Sequence, residues 1–157
     1  MAALITVKDC ISAASMEIGI AQRPIQTAVG SSDQDIIQMG ALLYAVAREV
    51  LGDEPYRATL GDGVWIFSAS GEPKDKFTAD DDVIGFDRDL AITGLKYRFL
   101  KAKGLEFGEE MRDFLTLLNK LAVRANGRVL DLDEASGADC DGGSPWGYTR
   151  QTGGRQQ

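Results

Sequence analysis

Apolar positions along this chain recur at helical spacing in four stretches, none of them apolar for the eighteen residues a membrane span needs. Val7, Ile11, Ala14 and Ile18 share one stripe, which predicts a helix from Val7 to about Ile18. Thr6 stands at the N-cap position with Asp9 three residues on, and Gly19 offers a stop. A second stripe is formed by Ile36, Met39, Leu43, Val46 and Val50, widened by Ile37, Ala41 and Tyr44. Ser32 caps this helix, Asp33 and Asp35 lie in its first turn, and Gly52 closes it.

A third helix is expected from about Arg88 to Lys103, with Asp87 as cap, Gly104 as stop and Ile92, Leu95, Phe99 and Ala102 on its buried face. A fourth runs from about Glu109 to Asn126, with Met111, Phe114, Leu115, Leu118, Leu121, Ala122 and Ala125 on a wide apolar face and Gly127 as stop. Acids at its start and Arg124 at its end match the helix dipole. The short link from Gly104 to Gly108 makes these two helices an antiparallel pair.

Between the second and third helices the pattern changes. YRATL, VWIFS and KDKFT read as three short strands, with turn signals at Gly61-Asp62-Gly63 and Gly71-Glu72-Pro73. Trp65 and Phe67 then fall on one face and Val64 and Ile66 on the other. TADDDVIGFD follows as an acidic loop. The fold expected is mainly α: a four-helix antiparallel bundle with a small antiparallel β-hairpin insert at about 54–80, forming a core over 1–127. Residues 128–157 have neither period, so they read as an extended C-terminal arm. That arm carries Trp146 and Tyr148, aromatic anchors on a chain with no core of its own, which is the composition of a segment that orders on a partner.

Composition narrows the chemistry. The chain has no histidine, which removes Ser-His-Asp and Cys-His nucleophilic sites and the usual zinc ligand sets. No phosphate-binding glycine loop is present. The two cysteines, Cys10 and Cys140, lie in regions of different character and are expected as reduced thiols in a cytoplasmic setting. The opening MAALITVKDCISAAS lacks the basic stretch of a signal peptide. A net charge of −7 argues against a protein that grips phosphate backbone, though not against one that surrounds DNA without holding it. The charge is uneven, with net −6 over residues 52–89 and net +3 over 90–127, an arrangement suited to head-to-tail contact between copies or to plain solvation.

Four clusters stand out as candidate sites. Asp80, Asp81 and Asp82 offer oxygen ligands for a divalent cation, but consecutive acids cannot all face one ion, and a solvated loop before the third helix is the simpler reading. Asp131, Asp133, Asp139 and Asp141 fail the calcium-loop pattern in both registers, so no metal and no cofactor is expected. Trp65 and Phe67 either pack the hairpin on a helix or form an exposed binding tip. Lys96, Arg98, Lys101 and Lys103 suit a subunit interface or solvent better than DNA in so acidic a protein.

In order, these elements resemble the head-to-tail adaptors of tailed bacteriophages, the group of packaged-DNA-stabilisation and tail tubular proteins. The resemblance runs through ITVKDCISAASMEIGI, SSDQDIIQMGALLYAVAREVL, the acidic TADDDVIGFD and the long pair LAITGLKYRFLKAKGLEFGEEMRDFLTLLNKLAVRAN, then the loose aromatic tail. It implies a non-enzymatic virion protein of the particle neck, assembled in the host cytoplasm as a ring of about twelve copies below the portal protein. Such a ring retains packaged DNA and leaves a channel for ejection. DNA passes through without sequence-specific binding, since an acidic wall repels phosphate.

The resemblance further implies that Trp146, Tyr148 and Arg150 anchor the arm on the portal. Trp65 and Phe67 then belong to a hairpin facing the next tail or nozzle protein or a neighbouring copy. Asp80, Asp81 and Asp82 become candidates for facing the channel or an adjacent subunit. Two other readings are carried with it: a small acidic regulatory protein that occupies one partner, and an enzyme using the carboxylates from Asp80 to Asp89.

Overall fold

The computed structural model describes residues 4–57, 60 and 63–125. Within them the chain is mainly helical with a small antiparallel sheet. In order the elements are β1 (Ile5–Thr6), α1 (Val7–Glu17), α2 (Gln34–Gly52), the one-turn α3 (Glu54–Arg57), β2 (Ile66–Phe67), β3 (Pro73–Lys74), β4 (Val83–Ile84), α4 (Arg88–Ala102) and α5 (Gly108–Ala125).

The helix ends follow local chemistry. Thr6 Oγ1 accepts the Asp9 N–H at 3.1 Å and starts α1. Asp87 caps α4 by accepting the N–H groups of Asp89 and Leu90. α1 and α4 end alike: Gly19 and Gly104 take φ of 78° and 69°, and the amides after them reach back to Ser15 and Leu100 at 2.9 Å. α2 departs from expectation at both ends. Asp33, not Ser32, is its cap, because its carboxylate accepts two amides, from Asp35 and Ile36. Gly52 is its last helical residue, and Asp53 follows. Asp53 then accepts the Tyr56 N–H at 3.0 Å and starts α3, so the strand expected at YRATL begins instead as a helical turn.

α4 is the hub. It packs against α1, α2 and α5, while α3 touches both α2 and α5. Its burial is accordingly not a stripe: Leu90, Ala91, Gly94 and Tyr97 are buried with Ile92, Leu95 and Phe99. Ala102, expected on the buried face, is exposed. Gly94 makes the close packing possible, since a Cβ there would lie 2.6 Å from Val46 Cγ1 and 2.9 Å from Phe114 Cε2. α5 buries Phe114, Leu118 and Ala122, with Met111, Leu117 and Leu121 half-buried beside them. Leu115, expected on that face, is exposed at its margin.

The sheet is larger than a hairpin, with order β1-β4-β2-β3. β2 and β3 form the hairpin over the turn at Ser68–Glu72. Two further strands join it from segments expected as helix flank and acidic loop, with Ile5 and Ile66 both opposite Ile84. These three isoleucines are buried in register, and that shared apolar row draws VI out of the acidic loop into the sheet. Val7 N–H donates to the Asp82 carbonyl at 2.8 Å and extends the same contact into α1.

Candidate functional site

The acidic turn is the first candidate, and its three acids have three different environments. Asp80 Oδ1 accepts the N–H groups of Ala28 and Val29 at 2.9 and 2.7 Å, pinning the loop between α1 and α2 across the fold. Asp82 is buried at 1% exposure. Its Oδ2 accepts the N–H groups of Thr78 and Ala79 at 2.6 and 3.0 Å, and its Oδ1 lies 2.5 Å from Lys74 Nζ. Burial alone would push the Asp82 pKa up, but the Lys74 hydrogen bond, the two amides and the lysine charge outweigh it and hold the carboxyl below its ordinary value. Only Asp81 is exposed. The set expected to face a channel or a neighbour is thus narrowed: Asp82 faces inward because its oxygens complete the turn that feeds β4. Among the described residues, no group of three His, Cys, Asp or Glu side chains is placed to hold one metal ion.

The hairpin aromatics are the second candidate. Trp65 turns inward before β2 and meets Tyr44, Phe77 and Phe86 with ring centroids 5.3, 5.4 and 5.9 Å away. Tyr44 Oη accepts the Phe77 N–H at 2.9 Å, tying α2 to the segment after the hairpin. Trp65 therefore packs on the body, where Tyr44 supplies the edge contact. Phe67 is half-buried, its ring against Gly85, where a Cβ would lie 2.5 Å from Phe67 Cε2. Ile66 is the buried strand residue, and Trp65, outside the strand, packs against the hydrophobic core. The exposed part of the hairpin is its tip, Ala69 to Pro73.

The α4 cations are the third. Lys96 Nζ lies 2.8 Å from Glu17, Lys103 Nζ 2.7 Å from Asp35, and Arg98 Nη2 2.5 Å from Glu49. Tyr97 Oη donates to the same Glu49 oxygen, and burial first, then that carboxylate, raises the tyrosine pKa. Three of the four basic side chains thus pair with acids on α1 and α2 of the same chain. Lys101 is exposed, with its Nζ 5.7 Å from the Phe107 ring centroid.

A feature missed in the sequence is an apolar cleft of about 250 Å³ between α1, α2 and residues 28–31, walled by Val7, Ile11, Tyr44 and Phe77. Its signal was Gly40, a glycine within the α2 stripe region. Exposed apolar residues elsewhere are aliphatic, including Leu4, Met16, Ile20, Leu105 and Val123, whereas all ten described aromatics are buried or half-buried. Cys10 is a free, fully buried thiol, and burial pushes its pKa up to about 12. The arm residues Trp146, Tyr148 and Arg150, the stop at Gly127, the thiol Cys140 and the turn residues Gly61 and Asp62 lie outside the described residues. In comparisons with known families, curated proteins and solved structures, no family model, no curated protein and no solved structure matches this chain.

Proposed function

We propose that the chain is a structural subunit of a bacteriophage neck, a non-enzymatic adaptor that closes into a ring of about twelve copies between portal and tail. The ring retains packaged DNA and opens a channel for its ejection. In this reading the four long helices act as an antiparallel bundle around α4, and residues 128–157 are the arm that reaches the portal. The next tail or nozzle protein meets the opposite surface, near the hairpin tip.

The observation that carries the proposal is a division within the chain. The body keeps its aromatics inside and ties most α4 cations to its own acids. The two other aromatics, Trp146 and Tyr148, both fall in the glycine-rich segment after α5. A body that packs its own aromatics, followed by a polar segment with aromatic anchors, suits a subunit that holds a partner through its end.

The test is capture by a portal ring. The full chain should bind it and give an added mass of about 200 kDa for about twelve copies of 16.9 kDa. A chain ended after Gly137 should leave the body folded and lose capture. Capture by the shortened chain would remove the arm from the proposal, and failure of the full chain to join any portal would remove the neck.

A further inference from the structure

We propose that the cleft between α1, α2 and residues 28–31 holds the Trp146–Tyr148 segment of the same chain while the protein is free. The first observation is the cleft itself, about 250 Å³ with walls from Val7, Ile11, Tyr44 and Phe77. Its loop wall is fixed in place, because Asp80 holds the amides of Ala28 and Val29 and Ser12 Oγ accepts the Ile25 N–H at 3.2 Å. A preset wall lowers the ordering cost of an occupant.

The second observation is Gly40, which lines the cleft from within α2. Glycine is among the poorest helix formers. Gly94 has a reason to be glycine inside the subunit, since a Cβ there would clash with Val46 and Phe114. Gly40 has none: a Cβ there would meet nothing within 4 Å. What Gly40 supplies is empty space, bordered by Ile37 at 47% exposure. Space kept open on an apolar helix face fits an inserted side chain.

The occupant follows from the aromatic inventory. The body's own ten aromatics are already packed, which leaves Trp146 and Tyr148. An indole needs apolar walls and one acceptor for its N–H, and Ser31, which lines the cleft, offers a hydroxyl oxygen whose second lone pair is not taken up by the Asp33 N–H. From Ala125, where α5 ends, the 21 residues to Trp146 span at most about 70 Å, enough to reach any face of the body. Such a tether holds the segment at roughly millimolar effective concentration. A second copy at micromolar concentration does not compete with that, so the contact forms within one chain.

The inference deepens the arm reading, because it names where the anchors rest before a partner takes them. The contact is nonetheless measured with no partner present. Loss of portal capture with the contact intact removes the neck reading alone, and the reverse result removes this one alone.

The experiment places photoreactive benzoylphenylalanine at position 146 of the full chain, irradiates the free protein and maps the adducts by mass spectrometry. Adducts to residues 28–44 within a monomer are expected, and Gly40→Leu should abolish them without lowering the melting temperature. In the natural chain, the Trp146 indole N–H resonance, identified by Trp146→Phe, should shift on Gly40→Leu. Adducts elsewhere, adducts that survive Gly40→Leu, an unmoved indole resonance or no adducts would overturn the proposal. Adducts found only in crosslinked dimers would overturn it too, and would make a second copy the occupant.

Discussion

Lys74 Nζ lies 2.5 Å from Asp82 Oδ1, so the edge strand β3 is tied to the turn that feeds the central strand β4. The acid is buried and the lysine is only partly covered. Removing the lysine therefore leaves a buried carboxylate with its amides but no counter-charge. Lys74→Met should cost about 1–3 kcal/mol near neutral pH, read by urea unfolding.

The same pair sets an acid limit. Asp82 has its pKa depressed below 3.8 in the fold, so near that pH the folded state binds fewer protons than the unfolded one. Its contribution is present above the unfolded value and is lost as pH falls through the native value. Acid unfolding of the natural chain should track that loss, and Lys74→Met should move the loss to higher pH. An acid midpoint unmoved by Lys74→Met would mean that the amides of Thr78 and Ala79 alone set the carboxyl.

Two helix glycines should answer alanine in opposite directions. Gly94→Ala gains helix propensity but forces a Cβ against Val46 and Phe114, and overpacking of this kind costs about 1–3 kcal/mol. Gly40→Ala meets nothing within 4 Å and should gain about 0.5–1 kcal/mol. Thermal melts of the two variants side by side decide the matter. Equal shifts would mean that propensity, not space, governs both positions.

The helices were legible because their signals are local. Thr6, Asp87, Gly19 and Gly104 act on neighbours two to five residues away, and the structure uses each as read. The sheet was not, because its strands are two residues long and its register depends on Ile5, Ile66 and Ile84 meeting across long sequence separations. α4 misled for a related reason: a helix packed against three others buries most of its circumference, and a one-stripe pattern understates it. The acids of the 80–82 turn looked alike in sequence, yet Asp80 and Asp82 are consumed by amides from Ala28 and Thr78 that no spacing rule reveals. Asp53 reads as a cap followed by Pro55, but the β-rich composition after it carries the stronger sequence signal.

Alkaline stability should fall through tyrosine. Burial raises the pKa of both Tyr97 and Tyr56, and the Glu49 carboxylate adds to the effect at Tyr97. With folded values above the ordinary tyrosine value of about 10, the folded state keeps protons that the unfolded state loses. The stabilisation is complete below that value and disappears as pH rises through the folded values. Ultraviolet titration should show Tyr97 ionising only as the fold opens, and Tyr97→Phe should weaken that alkaline dependence. Ionisation of Tyr97 in the intact fold near pH 10 would contradict the Glu49 contact.

Cys10 should report global opening. It is fully buried in α1, and its pKa is pushed up to about 12, so neither access nor thiolate is available in the native state. In a Cys140→Ser chain it is the only thiol, and alkylation at pH 8 then requires that α1 leave the body. α1 cannot leave alone: β1 pairs with β4, and Glu17 holds Lys96 of α4. The labelling rate should therefore fall to the rate or equilibrium of complete unfolding and should rise with urea at the slope of the global transition. Gly94→Ala should speed the labelling in proportion to its loss of stability, although residue 94 lies on another helix. Fast labelling that ignores urea would instead mark α1 as a separately opening unit, and β1 would then be too weak a clasp to join the first helix to the rest.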